Sequence, residues 1–183
     1  MTLSLLRHTQ VSLPPGICYG QMDVALSSSY AEEWEKISSS LGGKTFGAVF
    51  SSPLSRCKLL ANYLSPTAIE DPRLMELNFG VWEGWQWDDI YSTREGKEWF
   101  DDYVNTPTPN GESYFALIQR VHHFICDLHQ KGGEEILIVT HAGVIRAFMH
   151  LLDGISVDEA FQTPIDYGAL ITYPHINLSS FIK

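Results

Sequence analysis

The sequence predicts a three-layer α/β/α domain, in which a mostly parallel sheet is covered by helices and carries an inserted cap segment. Short, continuous apolar runs indicate buried strands. Amphipathic helical patterns lie between them, and this alternation is typical of parallel sheets. A stretch at about residues 70–110, rich in Trp, Asp, Gly and Asn, breaks the alternation. With 183 residues, the chain suits a single domain over 1–183 that contains this insertion.

Four stretches are predicted to be strands. Leu3–Leu6, Ala48–Ser51 and Ile136–Thr140 are almost continuously apolar, as expected of strands buried on both faces. Ala169–Tyr173 follows the same pattern more weakly. Together they predict a sheet of at least four strands.

Four helices are predicted between and after these strands. Ser28–Leu41 begins near serine caps, and Pro53–Leu64 begins with a proline, which is favoured in a first helical turn. Ser113–Lys131 repeats apolar residues on one face and ends at Gly132-Gly133. Gly143–Leu152 is an apolar helix followed by a short Asp-Gly turn. Short helices are also expected in the insertion, over the edge of the sheet.

Composition excludes several classes of function. The formal net charge is −10, from 12 Lys and Arg against 22 Asp and Glu, which disfavours a broad nucleic-acid surface. The longest apolar runs are too short to span a membrane, and no export signal is recognisable. Three widely spaced cysteines without a CxxC pair argue against a disulfide framework. We therefore expect a cytoplasmic protein whose partner is a small molecule, with no nucleic acid, membrane or cofactor, and with an oligomeric state that the sequence leaves open.

The residues that follow the strands are the candidate site residues, because ligands of open parallel sheets bind outside the carboxyl ends of the strands. Arg7 and His8 follow the first strand, Arg56 follows the second, and His141 follows the third. The planar fork of arginine matches phosphate oxygens, and the helix that begins after His141 adds N–H donors for an anion. These positions predict a phosphate pocket.

Two histidines in such a pocket predict phosphoryl transfer. A neutral imidazole is a competent nucleophile toward phosphorus, and neighbouring cations keep it unprotonated. The second imidazole and the arginines would stabilise the charge on the phosphoryl oxygens. A carboxylic acid is still needed to protonate the leaving oxygen, and Glu76 and Glu83 are both candidates from the residues alone.

Six segments carry a family resemblance. In chain order they are LLRHTQ, GICYGQMDVALS, SSPLSRCKLLA, LMELNFGVWEGW, PNGES and THAGVIRA. The series, from about Leu3 to Tyr173, resembles the histidine phosphatase superfamily with its phosphoglycerate mutase-like fold. By this resemblance His8 is the nucleophile that becomes phosphohistidine, and Glu76 is the proton donor, while Glu83 is structural.

The resemblance also implies which residues contact the substrate. Arg7, Arg56 and His141 would complete the phosphate pocket, with Arg7 and Arg56 counted both as catalytic and as binding residues. The remaining implied binding residues line the pocket and its rim: Thr9, Gly20, Gln21 and Ala142. Thr9 and Ala142 stand where many members of the superfamily have glycine.

Within the superfamily, GICYGQMDVAL and SSPLSRCKLLA most resemble the α-ribazole-5′-phosphate phosphatases, in which threonine is frequent at the position of Thr9. This resemblance implies hydrolysis of α-ribazole 5′-phosphate during cobalamin nucleotide-loop assembly. Alternatives are a broad-specificity sugar or nucleotide phosphatase, a phosphoglycerate mutase-type enzyme, and a binding module without catalysis. A mutase would need extra cations in the insertion, where Arg73, Arg94 and Lys97 are the choices.

Other clusters have simpler interpretations. His122, Cys126 and His129 share one helix at a spacing that could bind a metal, but with no fourth ligand apparent we predict no metal site. Arg146 is interpreted as a helix-face charge. Four tryptophans of the insertion are expected to pack its interior rather than wall a cleft: Trp82, Trp85, Trp87 and Trp99.

Overall fold

Five strands form one sheet in the computed structural model, which describes residues 1–131 and 135–181. Their order across the sheet is β3-β2-β4-β1-β5. The strands are β1 (Thr2–Arg7), β2 (Ala48–Ser51), β3 (Ile69–Glu70), β4 (Glu135–Thr140) and β5 (Leu170–Tyr173). The neighbours β3, β2, β4 and β1 are parallel, so their carboxyl ends lie at the same edge of the sheet.

The two strands at the edges of the sheet differ from the sequence prediction. The weak match at Ala169–Tyr173 is a strand, but β5 pairs antiparallel with β1, and Leu170 at its start is exposed rather than buried. The two-residue strand β3 was not predicted, because Ile69 and Glu70 are too few to show a periodic pattern. The other three strands lie within one residue of their predicted bounds.

Helices cover both faces of the sheet. They are α1 (Tyr30–Ser40), α2 (Ser55–Leu64), α3 (Trp87–Ser92), α4 (Arg94–Asp101), α5 (Tyr114–Lys131), α6 (Ala142–Asp153) and α7 (Val157–Gln162). Helix α2 begins two residues after Pro53, which lies before the N-cap Leu54 rather than in the first turn. The predicted end of α5 at Gly132-Gly133 lies outside the described residues.

Alternating side chains of the strands sort the helices into two layers. Leu6, Leu137 and Val139 pack in one cluster with residues of α1 and α2. Leu5 and Ile138, their neighbours along the same strands, pack in the other cluster with α5 and α6. The predicted three-layer α/β/α fold is therefore confirmed.

The insertion contributes to the same hydrophobic cluster as α5 and α6. Its buried residues there are Leu74, Leu77, Trp82, Ile90 and Trp99. The hydroxyl of Thr140, at the carboxyl end of the central strand β4, donates to the carbonyl of Leu74 at 2.8 Å. The first part of the insertion therefore crosses the carboxyl ends of the strands, whereas the sequence predicted a position over the sheet edge.

Within the described part of the chain, no helix is both long and apolar enough to cross a lipid bilayer.

Candidate active site

His8 lies at the end of β1, held by backbone hydrogen bonds on both sides. Its N–H donates to the carbonyl of Thr140 at 3.0 Å, and its carbonyl accepts from the N–H of Gly168 at 3.2 Å. The ring Nδ1 lies 2.8 Å from the carbonyl oxygen of Thr9. Because a carbonyl can only accept, Nδ1 carries the hydrogen and Nε2 keeps its lone pair. This tautomer is the one that a nucleophilic histidine needs.

His141 lies directly against His8. The two ring centroids are 5.1 Å apart, with the ring planes inclined by 63°. Both side chains are buried, and burial is the main reason that both pKa values lie well below 6.5. The charge of Arg56 lowers both pKa values further. Both imidazoles are therefore neutral at neutral pH.

The ring of His141 is oriented by residues at the start of α2. Its Nε2 lies 2.8 Å from the hydroxyl oxygen of Ser52, and the sulfur of Cys57 lies 3.5 Å from the same nitrogen. Ser52 also accepts a bond from the N–H of Leu54 at 3.3 Å. The turn between β2 and α2 therefore positions His141, and Arg56 follows in the first turn of α2.

Arg56 is fully buried in the first turn of α2. Its Nη1 donates to the carbonyl of Met22 at 2.9 Å, and its Nη2 donates to the carbonyl of Gly20 at 2.5 Å. These bonds tie the loop after β1 to the second strand end. Among the described residues, Nε of Arg56 has no hydrogen-bond partner.

Arg7 is fixed from the other side of the site. Its Nη1 donates to the carbonyl of Ile165 at 2.6 Å, and its Cζ lies 3.9 Å from the ring centroid of Tyr167. Its buried Nε, like that of Arg56, has no partner in the part of the chain that the structure describes. Buried N–H donors of this kind normally have a partner, so these two are suited to donate to a bound anion.

Glu76 reaches the site from the insertion. One carboxylate oxygen accepts from the N–H of Gly143 at 3.1 Å, in the first turn of α6, and the other accepts from the N–H of Leu77 at 3.0 Å. A Cβ on Gly143 would overlap the Glu76 carboxylate. This glycine therefore permits the acid to approach the helix N-terminus beside His141.

A cavity of about 490 Å³ opens next to these residues. The predicted site residues that line it are Arg7, Gly20, Glu76 and Ala142. His8, Arg56 and His141 are buried and are not among its lining residues. Most of the remaining wall is aromatic and consists of Tyr19, Phe79, Trp87, Trp99, Phe100, Tyr114 and Phe161.

The other implied binding residues, Thr9 and Gln21, do not line this cavity. Thr9 is buried, and its hydroxyl accepts from Nε1 of Trp34 at 3.1 Å, on the side of α1. The side-chain amide of Gln21 donates from Nε2 to the backbone carbonyl of Glu76 at 2.9 Å. Glu83 accepts from the N–H groups of Gln21 and Phe79 at 2.8 and 3.1 Å. Gln21 and Glu83 therefore hold the backbone around Glu76.

The structure places one further charged side chain in the cavity. Arg146, interpreted from the sequence as a helix-face charge, lines the wall beside Tyr114 and Gly143. Its position five residues after His141 was the signal available in the sequence. The packing of α7 against α6, which turns this face into a cavity wall, is not visible in the sequence.

The tryptophans divide between two roles. Trp82 and Trp99 are buried in the hydrophobic cluster, as predicted for packing, but Trp99 also lines the cavity together with Trp87. Trp85 is exposed. The prediction that all four pack the interior is therefore wrong for Trp85 and incomplete for Trp87 and Trp99.

The predicted helix cluster is only partly described. Nδ1 of His122 lies 3.7 Å from the sulfur of Cys126, whose thiol donates to the carbonyl of Phe181 at 3.0 Å. The side chain of His129 lies outside the described residues. Among those described, no three His, Cys, Asp or Glu side chains are grouped so that they could hold a metal ion.

Similarity to known proteins covers almost the whole chain. The family model described as "Histidine phosphatase superfamily (branch 1)" matches residues 3–176. The chain is 29% identical over 178 residues to the adenosylcobalamin/alpha-ribazole phosphatase of Escherichia coli (strain K12), which covers 92% of this chain and 87% of that protein. It is 28% identical over 146 residues to the fructose-2,6-bisphosphatase of Saccharomyces cerevisiae, covering 78% of this chain and 31% of that protein.

A solved structure has the same fold. The alpha-ribazole phosphatase from Shigella flexneri superposes with a TM-score of 0.86 at 26% sequence identity, covering 94% of this chain and 89% of that chain. The names of the two relatives are those of phosphatases that act on different substrates.

Proposed function

The chain belongs to the histidine phosphatase superfamily and is a phosphatase, and from this premise we propose that it hydrolyses phosphomonoesters through a phosphohistidine on His8. The observation that carries the proposal is the buried His8–His141 pair, with the two rings 5.1 Å apart and Nε2 of His8 unprotonated. Arg7 and Arg56 supply positive charge to the same place. This arrangement suits a planar PO₃ group in transfer.

In the first step, the lone pair on Nε2 of His8 attacks phosphorus and the bond from phosphorus to the ester oxygen breaks. Glu76, which enters this step as the neutral carboxylic acid, gives its proton to that oxygen, so that the product leaves as a neutral alcohol. Arg7, Arg56 and His141 stabilise the charge on the three equatorial oxygens. The phosphoryl group then resides on His8.

In the second step, a water molecule attacks the phosphohistidine. Glu76, now a carboxylate, takes a proton from the water as the new P–O bond forms and the P–N bond breaks. His8 returns to its neutral form, and inorganic phosphate leaves. One acid thus serves both half-reactions, and its contact with Gly143 keeps it beside the helix N-terminus throughout.

The finer proposal is that the substrate is α-ribazole 5′-phosphate. Aromatic side chains form much of the cavity wall, and such walls suit a flat heteroaromatic ring. The name of the E. coli relative gives the same substrate class. A small-molecule monoester also agrees with a cavity of about 490 Å³.

A mutase has less support from the structure. Arg73 is ion-paired with Asp71 and Asp127, and Arg94 with Glu98. Neither these arginines nor Lys97 lines the cavity. The cations of the insertion are therefore not placed to hold a second anionic group of a substrate.

The test of the proposed mechanism uses His8→Ala, with His123→Ala as the matched control, since His123 is exposed on α5. Release of p-nitrophenol from p-nitrophenyl phosphate should be abolished in the first variant and unchanged in the second. Rapid alkaline quenching of the wild type with radiolabelled substrate should trap label on His8. Substantial turnover by His8→Ala would refute the mechanism. Turnover of the wild type without captured label would show that the reaction does not pass through a phosphohistidine.

The substrate proposal has its own test. Values of kcat/KM for α-ribazole 5′-phosphate, sugar phosphates and nucleoside monophosphates should differ in favour of the first. Comparable rates on all of them would replace it with a broad-specificity phosphatase. Conversion of a phosphoglycerate to its isomer without release of phosphate would favour the mutase.

A further inference from the structure

We propose that the ion pair between Glu112 and Arg120 positions Glu76, the proposed proton donor, in the first half-reaction. The inference rests on the proposed function and adds two residues that act on the substrate only through Glu76. It starts from a largely buried ion pair beside the active site that the proposed reaction does not use.

Glu76 lies in a segment without regular secondary structure. Residues 75–79 connect two short 3₁₀ helices, Pro72–Leu74 and Gly80–Trp82, and belong to no helix or strand themselves. The backbone groups of such a segment have no helix or sheet partners, so they need other hydrogen bonds to be held in place. The position of the Glu76 carboxyl group therefore depends on contacts from other parts of the chain.

Arg120 supplies two of these contacts from helix α5. Its Nη1 donates to the carbonyl of Arg73 at 2.7 Å, and its Nη2 donates to the carbonyl of Glu76 itself at 3.0 Å. The planar guanidinium thus bridges two carbonyls that are three residues apart. The side-chain amide of Gln21, from the loop after β1, donates to the same carbonyl of Glu76.

Glu112 fixes the guanidinium and holds the other end of the segment. Its Oε1 accepts from Nη2 of Arg120 at 2.7 Å, and its Oε2 accepts from Nε at 3.2 Å. This bidentate geometry is the stronger kind of arginine–carboxylate contact. Oε1 also accepts from the N–H of Asn78 at 3.0 Å. The ion pair therefore makes three contacts with the backbone of residues 73–78, and Glu76 lies among them.

Helix α5 also contacts the group that binds the carboxylate. The hydroxyl of Tyr114, in its first turn, donates to the carbonyl of Gly143 at 2.9 Å. The N–H of Gly143 in turn donates to the carboxylate of Glu76 at 3.1 Å. One helix therefore holds the backbone of the acid through Arg120 and the partner of its carboxylate through Tyr114. Because catalytic groups must be held within a fraction of an ångström, this support should matter for proton transfer.

The leaving group gives a readout that a merely structural role would not change. An alkoxide must be protonated as it leaves, whereas p-nitrophenolate is stable without a proton. A displaced acid therefore slows the hydrolysis of an alkyl ester selectively. A general loss of folded protein or of phosphate binding slows both esters equally.

The experiment compares p-nitrobenzyl phosphate, whose leaving group is an alcohol, with p-nitrophenyl phosphate. The quantity is kcat/KM, because it reports the steps up to formation of the phosphohistidine. In Arg120→Met it should fall by about tenfold to a hundredfold on the benzyl ester and by less than about threefold on the phenyl ester. Arg120→Lys keeps the charge and a donor and should restore part of the loss. The control Arg94→Met removes an exposed ion pair of the same insertion and should change neither value.

Two further variants test whether the pair acts through the acid. In a Glu76→Gln background, Arg120→Met should lower kcat/KM on the benzyl ester by less than about threefold, because residues that act as a unit do not have additive effects. Glu112→Gln keeps an oxygen for the N–H of Asn78 but removes the charge. It should show the same selective loss to a smaller extent, and it tests the pair even where Arg120→Met fails to fold.

The outcomes separate this inference from the function on which it rests. Equal losses on both esters, no loss on the benzyl ester, or full additivity with Glu76→Gln would overturn the role of the ion pair. Wild-type activity of Glu76→Gln on the benzyl ester would place the proton donor elsewhere. If the folded wild type fails on p-nitrophenyl phosphate, the proposed phosphatase function itself falls, and the inference with it.

Discussion

The hydroxyl groups of Tyr19 and Tyr167 lie 3.0 Å apart and join two loops that are 148 residues apart in the chain. The ring of Tyr167 is 5.5 Å from that of His8, centroid to centroid, and stacks on the guanidinium of Arg7. One aromatic side chain therefore contributes both to the burial of the proposed nucleophile and to the position of the arginine proposed to bind phosphate.

Replacement of Tyr167 by alanine should weaken catalysis and change its pH dependence. Because desolvation is the main cause of the low pKa of His8, loss of the ring should raise this pKa toward 6.5. The acidic limb of the kcat/KM profile should then move to higher pH. Loss of the cation–π contact with Arg7 should also lower kcat/KM by about two- to thirtyfold. Tyr167→Phe keeps the ring and should retain the wild-type profile, whereas an unshifted profile in Tyr167→Ala would contradict this role.

The buried histidines should make folding stability depend on pH. Below about pH 6.5 the unfolded chain binds protons at His8 and His141 that the folded chain does not bind, because both folded pKa values are lowered. The free energy of unfolding should therefore decrease as the pH falls, by up to about 1.4 kcal/mol per histidine per pH unit. Urea denaturation at about pH 7 and about pH 5.5 measures this. His8→Asn should show a shallower decrease than the wild type, and equal slopes would argue against a neutral buried His8.

Gly143→Ala should displace the Glu76 carboxyl group from the N-terminus of α6. The new Cβ would overlap the carboxylate of Glu76, which must move. A displacement of this kind should lower kcat by about tenfold to a hundredfold and stability by about 1–3 kcal/mol. Gly47→Ala is the control, because its Cβ would meet the nearest atom, the carbonyl oxygen of Glu135, at an ordinary distance of 3.6 Å. Wild-type activity in Gly143→Ala would place the proton donor elsewhere.

Removal of metal ions should leave the activity intact. In the proposed mechanism, Arg7 and Arg56 neutralise the phosphoryl oxygens, which is the task that Mg²⁺ performs in many phosphotransferases. Dialysis against EDTA should therefore not change the rate of phosphate release, and added Mg²⁺ or Zn²⁺ should not stimulate it. A loss that a divalent cation reverses would require a different mechanism.

Much of the fold could be predicted from local pattern. Strands β1, β2 and β4 are buried on both faces, and their continuous apolar runs show this directly. The direction of β5 could not be predicted, because periodicity does not report the orientation of a strand in a sheet. Periodicity does not report where an insertion packs either, so the sequence predicts the sheet edge for it, whereas it lies across the carboxyl ends of the strands.

The site divides in the same way. That His8, Arg56 and His141 lie close together could be predicted, because each comes directly after a strand or in the first turn of the following helix. Arg146 and Tyr167 reach the site through the packing of α6 against α7 and through the loop before β5. These contacts depend on how elements dock, which the sequence pattern does not report, and the position of Arg146 five residues after His141 is the only hint of its place. The hydrogen bond from Trp34 to the hydroxyl of Thr9 could not be predicted either, because no local pattern indicates how α1 packs.

Arg56 donates two hydrogen bonds to the backbone carbonyls of Gly20 and Met22. The side chain that is proposed to bind an anion therefore also stabilises the fold. Anyone who wants an inert but intact version of this protein, for instance to capture an unprocessed ligand, should replace His8 and leave Arg56 untouched. Homologues that have lost catalysis should still need the structural hydrogen bonds of Arg56. We therefore expect this arginine to be kept in them more often than His8.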